Sequence, residues 1–200
     1  MRPARLITAA IAFMLFAATA DARQAPQGRR LETAIFAGGC FWCTEADFEK
    51  VPGVVAAQSG YTGGRTRNPT YRQVTAGGTG HYEAVKVTFD PARISYRALA
   101  DRFWPTIDPT DTGGQFCDRG SSYRPAVFVT PRQRADAEAS RAAAARRLKQ
   151  GRMATPILEA QTFWPAETYH QDYYRKNPLR YRTYRQGCGR DARLARIWGR

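Results

Sequence analysis

The stretch ETAIFAGGCFWCTEADFE, residues 32–49, decides the fold of this chain. Its first six residues, 32–37, predict a strand that runs into a glycine pair at 38–39. Residues 40–50 carry apolar side chains at helical spacing, and a Pro-Gly pair at 52–53 ends the predicted helix. The fold is therefore expected to begin with a strand, a sharp glycine turn and a helix that starts at a cysteine.

Helices and strands alternate along the rest of the chain. Residues 82–89 alternate between apolar and polar positions and predict a strand, and Ser95 is a suitable cap for a helix over 96–104. The long loop at 107–122 has a length that is usually functional. We expect an α/β fold, a two-layer α/β sandwich, with a long irregular C-terminal tail from Trp164 onward that ends in a terminal helix around residues 190–198.

The N-terminus has the features of a secretory signal peptide. Two arginines precede an apolar run at 6–20, and small residues follow. We assign 1–22 to the signal, 23–31 to a linker and 32–200 to a single catalytic domain. This predicts an exported, periplasmic protein. The alternative is that the N-terminal segment stays uncleaved and anchors the protein in the membrane. No later segment has the length and apolarity of a membrane span.

The chain carries a formal charge of +14, mostly from arginine. Such a surplus suits nucleic acid, a membrane surface or an acidic partner. We favour a solvated arginine-rich surface without a nucleic-acid partner, because no basic run is combined with a nucleic-acid motif. A basic binding module remains an alternative that a steep salt dependence of DNA binding would identify.

The four cysteines indicate chemistry rather than a disulfide framework, since four is too few for a disulfide-built domain of this length. A thiol at a helix start faces unpaired N–H groups, which favour the thiolate. We therefore expect a lowered pKa and a nucleophile at Cys40. Cys43 follows one turn later, within reach of a disulfide with Cys40.

Two structural alternatives for the cysteine pair are weaker. A zinc site commonly needs two close pairs of ligands and the chain has one, so no metal is predicted. A permanent disulfide across one helical turn closes too short a loop to stabilise the fold much.

Glu83 is the other residue with a chemical signature. It is a lone acid in the apolar pattern of the strand at 82–89. A carboxyl group in an apolar site stays protonated and can act as a general acid. The alternative is an exposed strand residue paired with an arginine. The chain has two histidines, His81 and His170, and neither lies next to a cysteine in the sequence.

A set of motifs then resembles one known family. The chain contains GGCFWCTEADFE, GYTGG, NPTY, GHYEAV, DRGSSYR, YHQDYYRKNP and a late GCG. In this order they are similar to the A-type peptide methionine sulfoxide reductases, over residues 33–198. The resemblance implies a ferredoxin-like α/β roll.

The resemblance also implies a role for each matching residue. Cys40 would attack the sulfoxide sulfur, and Phe41 and Trp42 would hold the substrate's methyl group. The remaining roles fall to the acid and its hydrogen-bonding neighbours: Glu83 as the protonated acid, Tyr71 and Tyr123 as donors to the sulfoxide oxygen, and Asp118 as the group that orders water and substrate.

Two cysteines compete to resolve the Cys40 sulfenic acid. Many relatives have glycine at position 43 and use cysteines in the tail, whereas this chain has both Cys43 and Cys188. We favour Cys188 slightly, because its flanking glycines permit movement. Cys117 is either a bystander or a third participant.

We therefore predict an enzyme that reduces methionine S-sulfoxide, free or in oxidised proteins, as a monomer. It would bind no cofactor and would draw electrons from an external thioredoxin-like dithiol. The alternative function is a general thiol–disulfide oxidoreductase that uses the CFWC pair.

Overall fold

The structure is a computed structural model that describes residues 30–199. The proposed signal peptide, residues 1–22, and most of the linker lie outside the described residues. The helices and strands, in chain order, are β1 Glu32–Ala37, α1 Phe41–Phe48, β2 Val54–Thr62, α2 Tyr71–Thr75, β3 Tyr82–Phe89, α3 Tyr96–Phe103, β4 Gly114–Gln115, β5 Asp118–Arg119, β6 Ala126–Val129, α4 Arg134–Arg147, β7 Ile157–Glu159, β8 Trp164–Pro165, α5 Tyr173–Lys176, α6 Pro178–Gly187 and α7 Arg190–Trp198.

The centre of the molecule is a six-stranded sheet with the order β7-β6-β1-β3-β2-β8. Neighbouring strands are antiparallel except β6 and β7, which are parallel. In the register of β1 with β3, Phe36 lies opposite Val85. β1, which ends at the glycine turn, and β3, which carries Glu83, are therefore direct neighbours in the sheet.

The two faces of this sheet bury different residues, because successive side chains of a strand point to opposite sides. On one face, Phe36 and Val85 belong to the main core together with Phe48 of α1 and Phe103 of α3. The other face carries a smaller cluster of Ala37, Tyr82, Ala84, Ala126 and Phe128. The helices that build the main core cover the first face, so the predicted α/β class is confirmed.

Several predicted elements have the bounds that the sequence indicates. β1 and β3 match, and the Ser95 hydroxyl accepts a hydrogen bond from Ala98 N at the start of α3. The predicted loop at 107–122 contains the short hairpin β4–β5. Among residues 30–199, none of the helices has both the length and the apolarity that crossing a membrane requires.

The C-terminal tail is more regular than the sequence predicts. Beyond β8 it forms the helices α5 and α6, where an irregular tail was expected, and α7, which matches the terminal helix predicted for residues 190–198. Ile197 and Trp198 are buried in the main core, and Tyr181 packs against Cys43 of α1. Dense arginines between these anchors obscure the helical periodicity, and tertiary packing rather than local pattern sets these helices.

Candidate active site

The glycine turn between β1 and α1 places Cys40 at the N-cap of α1. Gly39 has a φ of 82°, a left-handed conformation that favours glycine. A Cβ atom at Gly39 would lie 2.5 Å from Cβ of Gln115, so the turn also packs tightly against β4. The glycine pair therefore seats the cysteine between the helix and the loop that carries the hairpin β4–β5.

The Cys40 thiol is buried, with 5% of the residue exposed. Burial raises the pKa of Cys40 well above its ordinary value, and a hydrogen bond to Cys43 and the charges of Glu83 and Asp118 raise it further. The predicted lowering of the Cys40 pKa is therefore wrong for this structure, in which the site is closed over the thiol. The helix N-terminus does favour a thiolate, but desolvation and the neighbouring acids outweigh it.

Cys43 is also a free, buried thiol. Its hydrogen bond with Cys40 lowers the pKa of Cys43 to about 7, against the effect of burial, and the charges of Arg190 and Arg185 lower it further. The two thiols share one hydrogen bond, so they titrate as a pair. In the closed state, negative charge is more stable on Cys43 than on Cys40.

Glu83 faces Cys40 from the neighbouring strand. It is 1% exposed, and its Oε2 accepts a hydrogen bond of 3.1 Å from Phe41 N, the first residue of α1. Burial raises the pKa of Glu83 to about 8. The carboxyl group is therefore mostly protonated at neutral pH, and the alternative of an exposed residue paired with an arginine does not apply.

Two tyrosines stand beside this acid. Tyr71 begins α2, Tyr123 ends a short 3-10 turn, and their hydroxyl groups lie near each other. Burial, with the nearby Glu83 charge, raises the pKa of Tyr71 to about 12 and also raises that of Tyr123. Both phenols therefore keep their protons and can donate hydrogen bonds to an acceptor.

Glu167 fixes Tyr71 in this position, although nothing in the sequence pointed to it. One oxygen accepts a hydrogen bond from Tyr71 N and the other accepts one from the Tyr61 hydroxyl, both at 2.9 Å. The residue lies in the stretch after β8, where no periodicity marks a buried position. Its role follows only from the fold.

Phe41 and Trp42 form aromatic walls next to Cys40. Phe41 is buried in the main core, and its ring lies 6.3 Å from that of Tyr71. The Trp42 ring stacks on Tyr173 with centroids 3.7 Å apart and planes at 6°, and the ring of Tyr184 meets it edge-on at 5.8 Å. The tail thus contributes two sides of the aromatic pocket.

His170 completes the aromatic cluster and was not among the predicted site residues. It is 2% exposed, and its Nδ1 accepts a hydrogen bond of 3.0 Å from Trp42 Nε1. Burial lowers the pKa of His170, so the ring is neutral and carries its proton on Nε2. A histidine 128 residues from Trp42 gives no local signal in the sequence.

Asp118 connects the hairpin β4–β5 to the tail. Its Oδ2 accepts a hydrogen bond from the Tyr184 hydroxyl of α6, and Tyr184 also lies beside the Cys40 thiol. Burial raises the pKa of Asp118, while Tyr184 and the charge of Arg190 act in the opposite direction. Tyr184 therefore closes the site over the nucleophilic sulfur.

The remaining two cysteines form a disulfide, Cys117–Cys188, with Cα atoms 5.0 Å apart. Cys117 lies in the turn of the hairpin β4–β5, and Cys188 lies between α6 and α7. Cys188 is thus paired with Cys117, which the sequence left as a bystander or third participant. The disulfide ties the tail to the loop that carries Asp118.

The fold brings the predicted site residues together in one cluster: Cys40, Phe41, Trp42, Cys43, Tyr71, Glu83, Asp118 and Tyr123. The cluster combines a nucleophilic sulfur, a protonated carboxyl group and two phenols with apolar aromatic side chains. Such a set can protonate a polar oxygen while a thiol attacks the atom that bears it.

Comparisons with known proteins agree with this chemistry. Residues 32–200 match the family model described as peptide methionine sulfoxide reductase. A peptide methionine sulfoxide reductase of Caulobacter vibrioides is 60% identical over 194 residues, which cover 97% of each chain. One from Bacillus licheniformis is 52% identical and covers 84% of this chain and 94% of its own length.

Solved structures of the same kind share the fold. Methionine sulfoxide reductase A of Corynebacterium diphtheriae superposes with a TM-score of 0.67 at 35% identity, over 77% of this chain and 78% of that one. Reduced Mxr1 from Saccharomyces cerevisiae gives a TM-score of 0.71 at 28% identity, over 76% of this chain and 88% of its own.

Proposed function

Because the chain belongs to the peptide methionine sulfoxide reductase family, we propose that Cys40 reduces methionine S-sulfoxide, free or in oxidised proteins, with Glu83 as the acid. The observation that carries the assignment is the buried, protonated Glu83 held by Phe41 N, the residue next to the nucleophile. The acid and the thiol are fixed by one helix start, so they act on adjacent atoms of one substrate.

The first step uses the oxygen-binding groups and the thiol together. Glu83, Tyr71 and Tyr123 donate to the sulfoxide oxygen and make the sulfur electrophilic. Phe41 and Trp42 hold the methyl group, and Asp118 orders water and the substrate. The thiol of Cys40 attacks the sulfur, the oxygen passes to Cys40 as a sulfenic acid, and methionine leaves with its thioether restored.

Substrate binding requires movement of the tail. Tyr184 occupies the space above Cys40, and Tyr173 covers the face of Trp42. A substrate methyl group that packs on Trp42 must displace one of these rings. The closed state described above is therefore the state before substrate binds.

The thiol that resolves the sulfenic acid is best assigned to Cys43. Cys40 lies at the N-cap, outside the helical turn, with a ψ of 119°; its carbonyl oxygen accepts a hydrogen bond of 3.2 Å from Cys43 N, and the two thiols are neighbours. An N-cap side chain naturally meets the third residue of its helix, so little unwinding is needed. Condensation of the Cys43 thiol with the sulfenic acid forms a disulfide and releases water. This assignment differs from the slight preference for Cys188 drawn from the sequence.

An external dithiol of the thioredoxin class returns the enzyme to its reduced form, by way of the Cys117–Cys188 pair. We further propose that the chain is exported to the periplasm and acts there as a monomer. The basic start, the apolar run and the small residues at 18–22 support export. Processing of the leader in cells, followed by N-terminal sequencing, tests this part.

The proposed chemistry is tested by a single turnover. Fully reduced protein receives one equivalent of methionine S-sulfoxide, is acid-quenched, and its disulfides are mapped by mass spectrometry. We expect one equivalent of methionine and a Cys40–Cys43 disulfide at the earliest times. A disulfide that contains neither Cys43 nor Cys188 would refute both candidate resolving thiols.

The alternative, a general thiol–disulfide oxidoreductase, draws support from the hydrogen-bonded Cys40–Cys43 pair at a helix start. The two functions differ in their need for Glu83. Reduction of a disulfide substrate would persist in a Glu83→Gln variant, whereas sulfoxide reduction would not.

A further inference from the structure

The two sulfurs of the Cys117–Cys188 disulfide lie in unequal surroundings. Cys117 is exposed at the turn of the hairpin β4–β5, whereas Cys188 is half-buried between α6 and α7. Given the proposed function, on which this step rests, we infer that the dithiol reductant attacks Cys117 and expels Cys188. Cys117 is then the docking sulfur of the enzyme, and Cys188 is the thiol that carries electrons inward.

Access favours attack at Cys117. A thiolate that opens a disulfide needs free approach to the sulfur it attacks. The residues on the outer side of the turn, Arg119 and Gly120, are exposed as well. The turn is held in place by Phe116, whose ring packs on the core. The Arg190 guanidinium lies over this ring, with its carbon 4.5 Å from the ring centroid. The hairpin therefore presents Cys117 on a fixed platform.

The leaving group also differs between the two directions of attack. Sγ of Cys117 lies 4.0 Å from Oδ1 of Asp118, and a thiolate released there would meet a carboxylate. Cys188 instead borders a cavity that Arg193 and Arg196 also line, and it precedes the N-terminus of α7. Two features offset part of the stabilisation of a Cys188 thiolate: the negative end of the α6 dipole, and Asp108, which pairs with Arg193 at 2.8 Å. A better-stabilised thiolate leaves faster, so expulsion of Cys188 is the easier step.

Freedom to move belongs to Cys188 as well. Gly187 and Gly189 flank it, and a Cβ atom built on either would meet nothing within 4 Å. Tyr184, one turn earlier on α6, already contacts Cys40. Once released, the end of α6 therefore carries Cys188 on a glycine hinge next to the catalytic pair.

The electron transfer balances in two exchanges. A bond forms between the reductant sulfur and Cys117, the Cys117–Cys188 bond breaks, and the electron pair leaves on Cys188. The second thiolate of the reductant then breaks the mixed disulfide, which frees Cys117 and oxidises the reductant. The Cys188 thiolate attacks the Cys40–Cys43 disulfide, and Cys117 completes the exchange, which reduces the catalytic pair and restores Cys117–Cys188.

Trapping of the mixed disulfide tests the direction of attack. The probe is a thioredoxin whose second active-site cysteine is replaced by serine. The target is the full chain carrying Cys40→Ser and Cys43→Ser, which keeps the Cys117–Cys188 disulfide but blocks internal exchange. After acid quenching within seconds, peptide mapping locates the adduct. We expect the Cys117 adduct with free Cys188 to exceed the reverse product by about tenfold.

Two results would overturn the inference. One is an adduct mainly on Cys188, reached through the cavity of about 620 Å³ that it lines. The other is no adduct on either cysteine although a small dithiol reduces the disulfide normally. Turnover of methionine sulfoxide by the wild-type chain with the small dithiol is measured in parallel. Loss of that turnover refutes the proposed function, and it leaves the outcome of the trapping experiment unaffected.

Discussion

Replacing Glu83 by glutamine keeps the shape of the side chain and its hydrogen bond from Phe41 N but removes the acidic proton. The pKa of Glu83 is raised to about 8, so roughly nine in ten carboxyl groups are protonated at pH 7. A positioned general acid contributes roughly 10²- to 10⁴-fold to a rate. We expect kcat/KM for methionine sulfoxide to fall by that factor, and the decline of wild-type activity above pH 8 to disappear from the remaining rate.

The same substitution changes how stability depends on pH. The pKa of Glu83 rises from 4.5 in the unfolded chain to about 8 in the fold, so the folded state holds the proton more tightly. The wild type therefore loses stability as the pH rises from 4.5 to 8, by on the order of 5 kcal/mol. Glu83→Gln lacks this loss, and its stability relative to the wild type increases between pH 5 and pH 9.

Glu45→Gln is the matched control. Glu45 is likewise buried, and burial raises its pKa to about 7, but the groups beside it are Asp172 and Ser59 rather than residues of the candidate site. Urea unfolding across pH 5–9 and steady-state kinetics compare the three proteins. We expect Glu45→Gln to change the pH dependence of stability and to retain turnover. Unchanged kcat/KM in Glu83→Gln, or an equal loss in both variants, would refute the acid role of Glu83.

Three further predictions follow from the closed site. In the form that carries the Cys117–Cys188 disulfide, the rate of Cys40 alkylation should increase only at a pH above the ordinary pKa of a free thiol, about 8.5, because burial raises the pKa of Cys40. A midpoint of this pH dependence below 7, measured by mass spectrometry, contradicts this. Tyr184→Phe removes the hydrogen bond to Asp118, so alkylation of Cys40 should speed up and unfolding by urea should become easier by about 1–3 kcal/mol; no change in either measurement argues against a closing role. Glu167→Gln weakens the support of Tyr71, and we expect kcat to fall by roughly tenfold with KM little changed; a rise in KM alone would place Glu167 in substrate binding instead.

Local pattern was sufficient to predict the part of the site that lies within one stretch of chain. The strand, the glycine turn and the helix start at Cys40 follow from residue type and periodicity over fewer than twenty positions. Glu83 stood out because an acid interrupts an apolar strand, and the structure buries this residue.

Local sequence patterns could not predict contacts between segments that are distant in the chain. Cys117 and Cys188 are 71 residues apart, and nothing local marks them as partners. His170 and Glu167 gain their roles only because the tail folds back across the sheet edge. The raised pKa of Cys40 has the same origin: the helix start is a local feature, whereas the burial that dominates it comes from the tertiary fold.

Stereochemistry of turnover tests the central claim most directly. The wild-type chain and a Cys40→Ser variant are each supplied with the S and the R epimer of a blocked methionine sulfoxide and a small dithiol, and released thioether is quantified. We expect the wild type to reduce the S epimer and leave the R epimer untouched, and we expect the variant to be inactive. Equal reduction of both epimers, or turnover that survives in Cys40→Ser, would contradict it.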